Sequence, residues 1–457
     1  MKHLGILLLI LAVAAWLRIN TFWLGHIGDD EVMNVALAMK LDSCGMQGYN
    51  LYRVNYEDFS LDGKTSITEL TLAPEGHDGI YLNQIKQRGI VSYYHKSLHH
   101  VAPGFPFLIM VSQKTIGSGN GYFLSSTMPS KAIAKEKSPH LRVSQMYAVV
   151  LPFVFSLLLM LLTYFATRRL FDPTTGLIAA AIMAMNPVSI FVSQKIWAEE
   201  ISLVFIMIAL LFILSGYEKR NWLKGLLAGI AAGIALLMKQ SAGIFLVALL
   251  IFYCYDQLMN LRSPGGWKMF FLNPFMLVLS AAFLALTAWW FVLLFRTYGN
   301  PFYFPVIEYA ANDLFYTIRE NRPAAFVLLT VGLLYLSPLF GFATGLFHRK
   351  LILKLPEPQR CFLTLLFLWV AVYFVMMAFV FQTKEHRHML FVYPALAMAA
   401  AYVISRLHAW LKTLSVNWRW LGADEILVIV LLLATCWSAL MIMDVLLRTE
   451  TLILKPF

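Results

Sequence analysis

Charge is what this chain has least of. Asp, Glu, Lys and Arg together make up 13% of its 457 residues. Apolar residues make up 60%, and the mean hydropathy is +0.69. A soluble domain of this length has no use for so much apolar surface, and here it recurs in long runs. That excludes a soluble enzyme and indicates a polytopic membrane protein. Cysteine is scarce too, with four in all. Cys254, Cys361 and Cys436 lie in or beside apolar runs, and Cys44 stands alone in a polar stretch. No zinc-type spacing exists, and one external cysteine cannot pair with membrane-buried ones, so the cysteines read as structural. There is no repeat of fixed period, no low-complexity tract and no Asn-x-Ser/Thr sequon. The missing sequon points weakly to a bacterial inner membrane. The formal net charge is +11. No basic tail with interleaved aromatics accompanies it, so nucleic acid is set aside as a partner. The basic residues instead occupy short loops between apolar runs.

What is present is a series of apolar runs of spanning length, at 4–24, 145–167, 175–194, 200–216, 222–238, 241–256, 270–295, 324–346, 361–381, 388–405 and 425–447. They predict an all-α polytopic membrane protein with about 11 transmembrane helices. The pair at 222–238 and 241–256 is short enough to be one bent element. Met1-Lys2-His3 followed by Leu4 to Leu17 has the outline of a signal peptide, with small residues at Ala12-Val13-Ala14. The apolar character then resumes to Trp23, so residues 1–24 read as an uncleaved first helix. Residues 25–142 form a large extracytoplasmic loop, and 143–457 a multi-helix transmembrane domain.

Lys and Arg fix the expected orientation. Arg168-Arg169, Lys219-Arg220 with Lys224, Arg262 with Lys268, His348-Arg349-Lys350 with Lys354, and Arg406 with Lys412 and Arg419 occupy alternate loops, which should be cytoplasmic. The remaining loops then share the opposite face. Within the large loop, Val32 to Leu41 reads as an amphipathic helix with Val32, Val35, Ala36 and Met39 on one face, suited to the membrane surface. Pro103 to Ile116 is apolar but too short to span, so it suits an interfacial or re-entrant segment.

The unusual polar residues collect on that outer face. Gly28-Asp29-Asp30-Glu31 places three carboxylates where the chain leaves the bilayer, which is costly unless water, a metal or a cationic substrate meets them. Such carboxylates could serve as a general base or hold a divalent metal. Lys195-Ile196-Trp197-Ala198-Glu199-Glu200 supplies a second acidic arm, Glu199 and Glu200, at another outer turn. The helix dipole favours glutamates there in any case. His99-His100 are adjacent rather than at helical ligand spacing, and read as a surface pair. Lys239 lies between two apolar runs on the outside, against the positive-inside pattern. It either snorkels to the interface or pairs with an anion such as a lipid phosphate. Gln382-Thr383-Lys384-Glu385-His386-Arg387-His388 is a dense basic patch. Lys239, Arg387, Lys384 and Arg296 could together make a phosphate-binding rim. Each motif alone is weak. Their convergence on one face is what a lipid-phosphate-linked substrate needs.

The order of these features resembles the GT-C membrane glycosyltransferases, and within them the protein O-mannosyltransferase and aminoarabinose transferase group. Leu17-Arg18, Gly28-Asp29-Asp30-Glu31 and the amphipathic Val32–Leu41 ending near Gly45 are similar to the opening of that group. The likeness continues in Asn186-Pro187 and Ser193 before Glu199-Glu200, in Gly225-(x)3-Gly229-(x)3-Gly233 leading to Leu237-Met238-Lys239, and in Lys384-Glu385-His386-Arg387 leading to Leu390–Pro394. It implies a GT-C fold and inverting transfer of a sugar from a polyprenyl-phosphate donor to an acceptor hydroxyl outside the cytoplasm. It implies Asp30 as general base with Asp29 and Glu31 beside it, Glu199 or Glu200 as the second acidic position, and Lys239 and Arg387 on the leaving phosphate. Some members use a divalent metal, which Asp29, Asp30 and His100 could hold; no other cofactor is implied. Two departures stand out. Two residues separate His100 from Pro103, where the group has a His-Pro pair, and the stretch from Gly45 to His99 is long. The competing expectation is a transporter or lipid-linked sugar flippase, which predicts an internal repeat and ionisable residues near mid-bilayer.

Overall fold

A computed structural model describes residues 2–21, the helical residues Glu31, Asn34, Val35, Leu37, Ala38, Leu41, Asp42, Gly45 and Met46, and residues 101–117, 146–260, 273–298, 357–376 and 386–413. These are helical almost throughout. The elements are α1 (Lys2–Thr21), α2 (Gly104–Ile116), α3 (Met146–Leu170), α4 (Pro173–Ala184), α5 (Pro187–Val192), α6 (Glu199–Gly216), α7 (Trp222–Met238), α8 (Gly243–Asn260), α9 (Pro274–Tyr298), α10 (Glu357–Val375) and α11 (Tyr393–Thr413). Short 3-10 turns at Gln240–Ala242 and His386–Val392 precede α8 and α11. Among the described residues six helices are long and apolar enough to cross a membrane, and three shorter apolar ones accompany them. The protein is a multi-pass membrane protein. The expected spans at 324–346 and 425–447 lie outside the described residues.

The spanning windows of α11 and α6 are 78% and 67% buried, against 17% for α1, which lies at the periphery of the described helices. An all-round apolar helix is stable in the middle of a bundle because every face finds a partner. α6 packs between α3 and α7, α7 packs on α9, α4 bridges α3 and α11, and α8 pairs with α10. The α7–α9 seam is made by the glycine series. A Cβ on Gly225 would stand 2.5 Å from the Phe275 carbonyl oxygen, and one on Gly229 would stand 2.3 Å from that of Leu279. Only glycine lets the two backbones come this close, the small-residue packing expected of helices in lipid.

The apolar run 175–194 is not one span. It breaks after Ala184, and α5 begins afresh with Asn186 as its cap and Pro187 as its first residue. Proline has no N–H to give and fits only the first turn of a helix. The Asn186 side chain accepts instead from the Ser189 N–H, 2.9 Å away. At about 18 Å, α4 is too short to cross a bilayer alone. The run 222–256 also divides. Lys239 is extended (φ −152°, ψ 127°), and a 3-10 turn separates α7 from α8.

The described residues of the amphipathic helix of the first loop pack against the bundle. Val35, Leu37, Ala38 and Leu41 are buried with Phe105 and Ile109 of α2, Tyr147 of α3, Ile196, and Trp290 and Leu294 of α9. Glu31 and Asn34 are buried as well. Of the expected apolar face Val35 is buried, and Val32, Ala36 and Met39 lie outside the described residues. Gly45 takes φ +59°, a left-handed conformation typical of helix ends. α2 is helical and 13 residues long. It presses Phe105, Ile109 and Ser112 inward, and its Gly104 abuts the Leu237 carbonyl at the end of α7.

Candidate active site

The loop helix, α2, the start of α6 and the end of α7 therefore meet at one end of the bundle. Residues 193–198 form the turn that leads into α6, and Glu31 and Asn34 grip it. The Glu31 Oε1 accepts from the Ile196 N–H at 2.9 Å, and the Asn34 Nδ2 donates to the Ile196 carbonyl at 3.1 Å. Residues three apart share a helix face, so one face satisfies both backbone groups of Ile196. The other Glu31 oxygen lies 3.4 Å from the Lys195 Nζ, and both side chains are almost fully buried, at 2% and 5% exposed. The Lys195 ammonium also stands 5.5 Å from the Phe191 ring centre and 5.9 Å from that of Trp197. Glu31 thus has a defined job: it holds the turn that presents the next two acids.

Those acids are adjacent and fully buried, yet face different partners. Glu199 Oε1 receives the Lys239 Nζ at 2.5 Å, and the Arg387 Nε lies 3.7 Å away. Lys239 reaches it from the cap of α7, and Arg387 from the 3-10 turn before α11. The Arg387 guanidinium stacks over Trp197, 4.2 Å from the ring centre. Its segment is tied to α10 by the Tyr373 hydroxyl, which donates to the His388 carbonyl at 2.5 Å. One carboxylate oxygen thereby joins three separate parts of the chain. Lys239 keeps 26% of its side chain exposed and Arg387 keeps 11%, while Glu199 keeps none. The cations cover the acid.

Glu200 turns inward. Its Oε1 accepts from the Ser189 hydroxyl at 2.8 Å. Ser189 accepts in turn from the Arg18 Nη2 at 2.8 Å. Three further Arg18 hydrogen bonds go to Ser156 Oγ (3.0 Å), the Ala14 carbonyl (3.2 Å) and the Ala184 carbonyl (3.1 Å). The last of these is a carbonyl freed where α4 ends. A buried guanidinium is tolerable in lipid only when its donors are met in this way. Arg18 thus joins α1, α3 and the α4–α5 break.

Of the residues expected to act, Glu31, Glu199, Glu200, Lys239 and Arg387 come together here. Asp29, Asp30, His100 and Lys384 lie outside the described residues. Arg296 is exposed in the last turn of α9, and no hydrogen bond or ion pair links it to Glu199. Among the described residues no group of three His, Cys, Asp or Glu side chains could hold a metal. Asn34 and Ser189 carry no sequence signal of their own, and Trp197 stands only within the Lys195–Glu200 motif. Arg18 does carry one, as a cation inside the first apolar run. Several buried polar atoms here have no hydrogen-bond partner among the described residues: Glu199 Oε2, Glu200 Oε2, Trp197 Nε1, Gln240 Nε2 and Ser241 Oγ.

This architecture is that of the GT-C polytopic membrane proteins. ArnT from Cupriavidus metallidurans in the apo state superposes with a TM-score of 0.51 at 15% identity, over 91% of this chain and 62% of that one. The same protein bound to undecaprenyl phosphate gives 0.52 at 13% identity, over 97% and 71%. The archaeal oligosaccharyltransferase AglB from Archaeoglobus fulgidus, in complex with an inhibitory peptide and a dolichol-phosphate, gives 0.51 at 15% identity, over 98% and 56%. The chain thus spans less than two thirds of the first and third of these structures. The sequence model of the dolichyl-phosphate-mannose-protein mannosyltransferases matches residues 140–291, which is less than half of the chain. That stretch contains α3 to α8, the Glu199-Glu200 turn and Lys239. No curated protein matches the sequence.

Proposed function

We propose that this protein is a membrane glycosyltransferase. It moves a sugar from a polyprenyl-phosphate-linked donor to an acceptor hydroxyl on a lipid, glycan or protein, with inversion. The observation that carries the reading is the buried Glu199 carboxylate capped by the two partly exposed cations Lys239 and Arg387. It sits in a fold shared with proteins solved with undecaprenyl phosphate and dolichol-phosphate. Lys239 and Arg387 take up the charge that develops on the phosphate as the bond from the anomeric carbon to the phosphate oxygen breaks. Lys384 and Arg296 add positive charge for the same phosphate. Asp30, with Asp29 beside it, removes the proton from the acceptor hydroxyl as its oxygen attacks. Asp30 is bonded directly to Glu31, whose carboxylate holds the Ile196 turn. Glu31 is therefore a positioning residue in this scheme, and Glu200 supports Glu199 from behind. If a divalent metal takes part, Asp29, Asp30 and His100 hold it. In this reading the chain divides into a first helix (1–24), a large extracytoplasmic loop (25–142) and a transmembrane domain (143–457). The basic loops then face the cytoplasm of a bacterial inner membrane, and the site faces the periplasm.

A polytopic transporter or lipid-linked sugar flippase is the second reading, and the buried Arg18–Ser189–Glu200 chain at the span ends favours it. One assay separates the two: transfer from radiolabelled polyprenyl-phosphate sugars in proteoliposomes, for the parent and Asp30→Asn. Transfer by the parent, reduced on the order of 10²-fold or more in the variant, is the expected result. Equal transfer by both moves the base away from Asp30. Labelled lipid crossing the bilayer with no transfer by either protein overturns the transferase.

A further inference from the structure

We infer that Glu199 is a built-in counter-anion that makes the site discriminate between phosphate esters by charge. It weakens binding of the donor's phosphodiester less than that of the phosphomonoester product, and so speeds release of the product. The inference rests on the polyprenyl-phosphate reading above.

The geometry is that of one acid under two cations. Lys239 Nζ and Arg387 Nε both approach the same oxygen, Glu199 Oε1, at 2.5 and 3.7 Å. Glu199 has no exposed surface, while both cations keep some. An anion reaching Lys239 and Arg387 from outside therefore meets cations already engaged from below, and it comes within a few ångströms of a buried carboxylate. The carboxylate is fully buried, so its charge is screened less than an exposed one would be, and the repulsion persists at this distance. Glu199 cannot readily turn away. It begins α6, and its neighbour Glu200 is held by Ser189 and, through it, by Arg18.

Repulsion from a fixed charge grows in proportion to the charge that meets it. The donor is a phosphodiester with one negative charge. The product is a phosphomonoester that carries about −1.5 to −2 at neutral pH. Without Glu199, two cations would favour the product over the donor, and the enzyme would be held by its own leaving group. With Glu199 in place, the product bears up to twice the penalty that the donor bears. The carboxylate thus weakens binding of both esters and weakens the product more. That favours turnover, because affinity shared by donor and product does not raise the rate.

The test is binding of two probes, a polyprenyl phosphate and its methyl phosphodiester, to the full-length protein in nanodiscs, near pH 8. The parent, Glu199→Gln and Glu199→Asp are compared. The expected result is that Glu199→Gln binds the monoester about tenfold or more tighter relative to the diester than the parent does. Glu199→Asp, which keeps the charge, should retain the parent's ratio. In turnover, Glu199→Gln should show a first round of transfer followed by inhibition relieved by dilution. A ratio unchanged in Glu199→Gln overturns the inference. So does loss of both esters by Glu199→Gln while Glu199→Asp binds both, which would make the acid merely a scaffold for the cations. A parent that binds neither ester removes the donor reading itself, and the inference falls with it.

Discussion

The two ends of the helical bundle use charge in different ways. At one end Lys195, Lys239 and Arg387 pair with Glu31 and Glu199 across separate segments, and the acids are fully or almost fully buried. At the other end Arg168, Arg169, Lys219 and Arg220 are exposed. There Arg169 Nε lies 3.5 Å from the Leu214 carbonyl and Lys224 Nζ 3.0 Å from that of Ser215. Cations at helix C-termini satisfy carbonyls that have no partner in the helix, and they fix orientation in the membrane. They need no particular geometry. The paired end does, because a buried charge is tolerable only with its partner in place. Charge that sets topology is thus solvated and replaceable, while charge arranged for a site is buried and interlocked.

Breaking the interlocked set should cost most. Arg18→Met strands Ser189, Glu200 and the Ala184 carbonyl, and should lower stability by about 3–5 kcal/mol, read from unfolding in mixed detergent micelles. Lys219→Met at the other end should stay within about 0.5 kcal/mol in the same titration. The next largest effect is expected at the α7–α9 seam, which carries Lys239 at its end. Gly229→Leu must displace the Leu279 backbone and should cost about 1–3 kcal/mol or prevent insertion, read by the same method. The smallest is Asn34→Ala. It leaves the Ile196 carbonyl without its donor and should cost about 1 kcal/mol. Protease cleavage of the first loop should rise with it, whereas an unchanged cleavage rate would mean that the loop helix is held by its apolar contacts alone.

Most of the helices were legible as apolar runs, because in a membrane a long apolar run has few alternatives. The break in 175–194 was also written in the sequence, as Asn186-Pro187, but the apolar composition continues through it and masks the stop. The glycine series could be read as a motif, yet its partner helix could not. At the site, residue types marked Glu199, Lys239 and Arg387 as unusual at a membrane boundary. Their meeting depends on three segments converging, and Lys239 lies 40 residues from Glu199 along the chain. Spacing also could not separate the roles of neighbouring acids. Glu31 reads as part of an acidic triplet, and the sequence alone does not show that its carboxylate accepts from the Ile196 N–H. Glu199 and Glu200 looked alike, and they meet different partners because consecutive helix residues point about 100° apart.

The most direct test sets one lysine from each end against the other. Lys239→Met and Lys224→Met remove the same charge from opposite ends of α7. Sugar transfer from a polyprenyl-phosphate donor should fall on the order of 10²-fold in Lys239→Met. It should stay within about twofold of the parent in Lys224→Met. Equal transfer by the two variants, at matched insertion and folding, would contradict the placement of the active site at the Glu199 end.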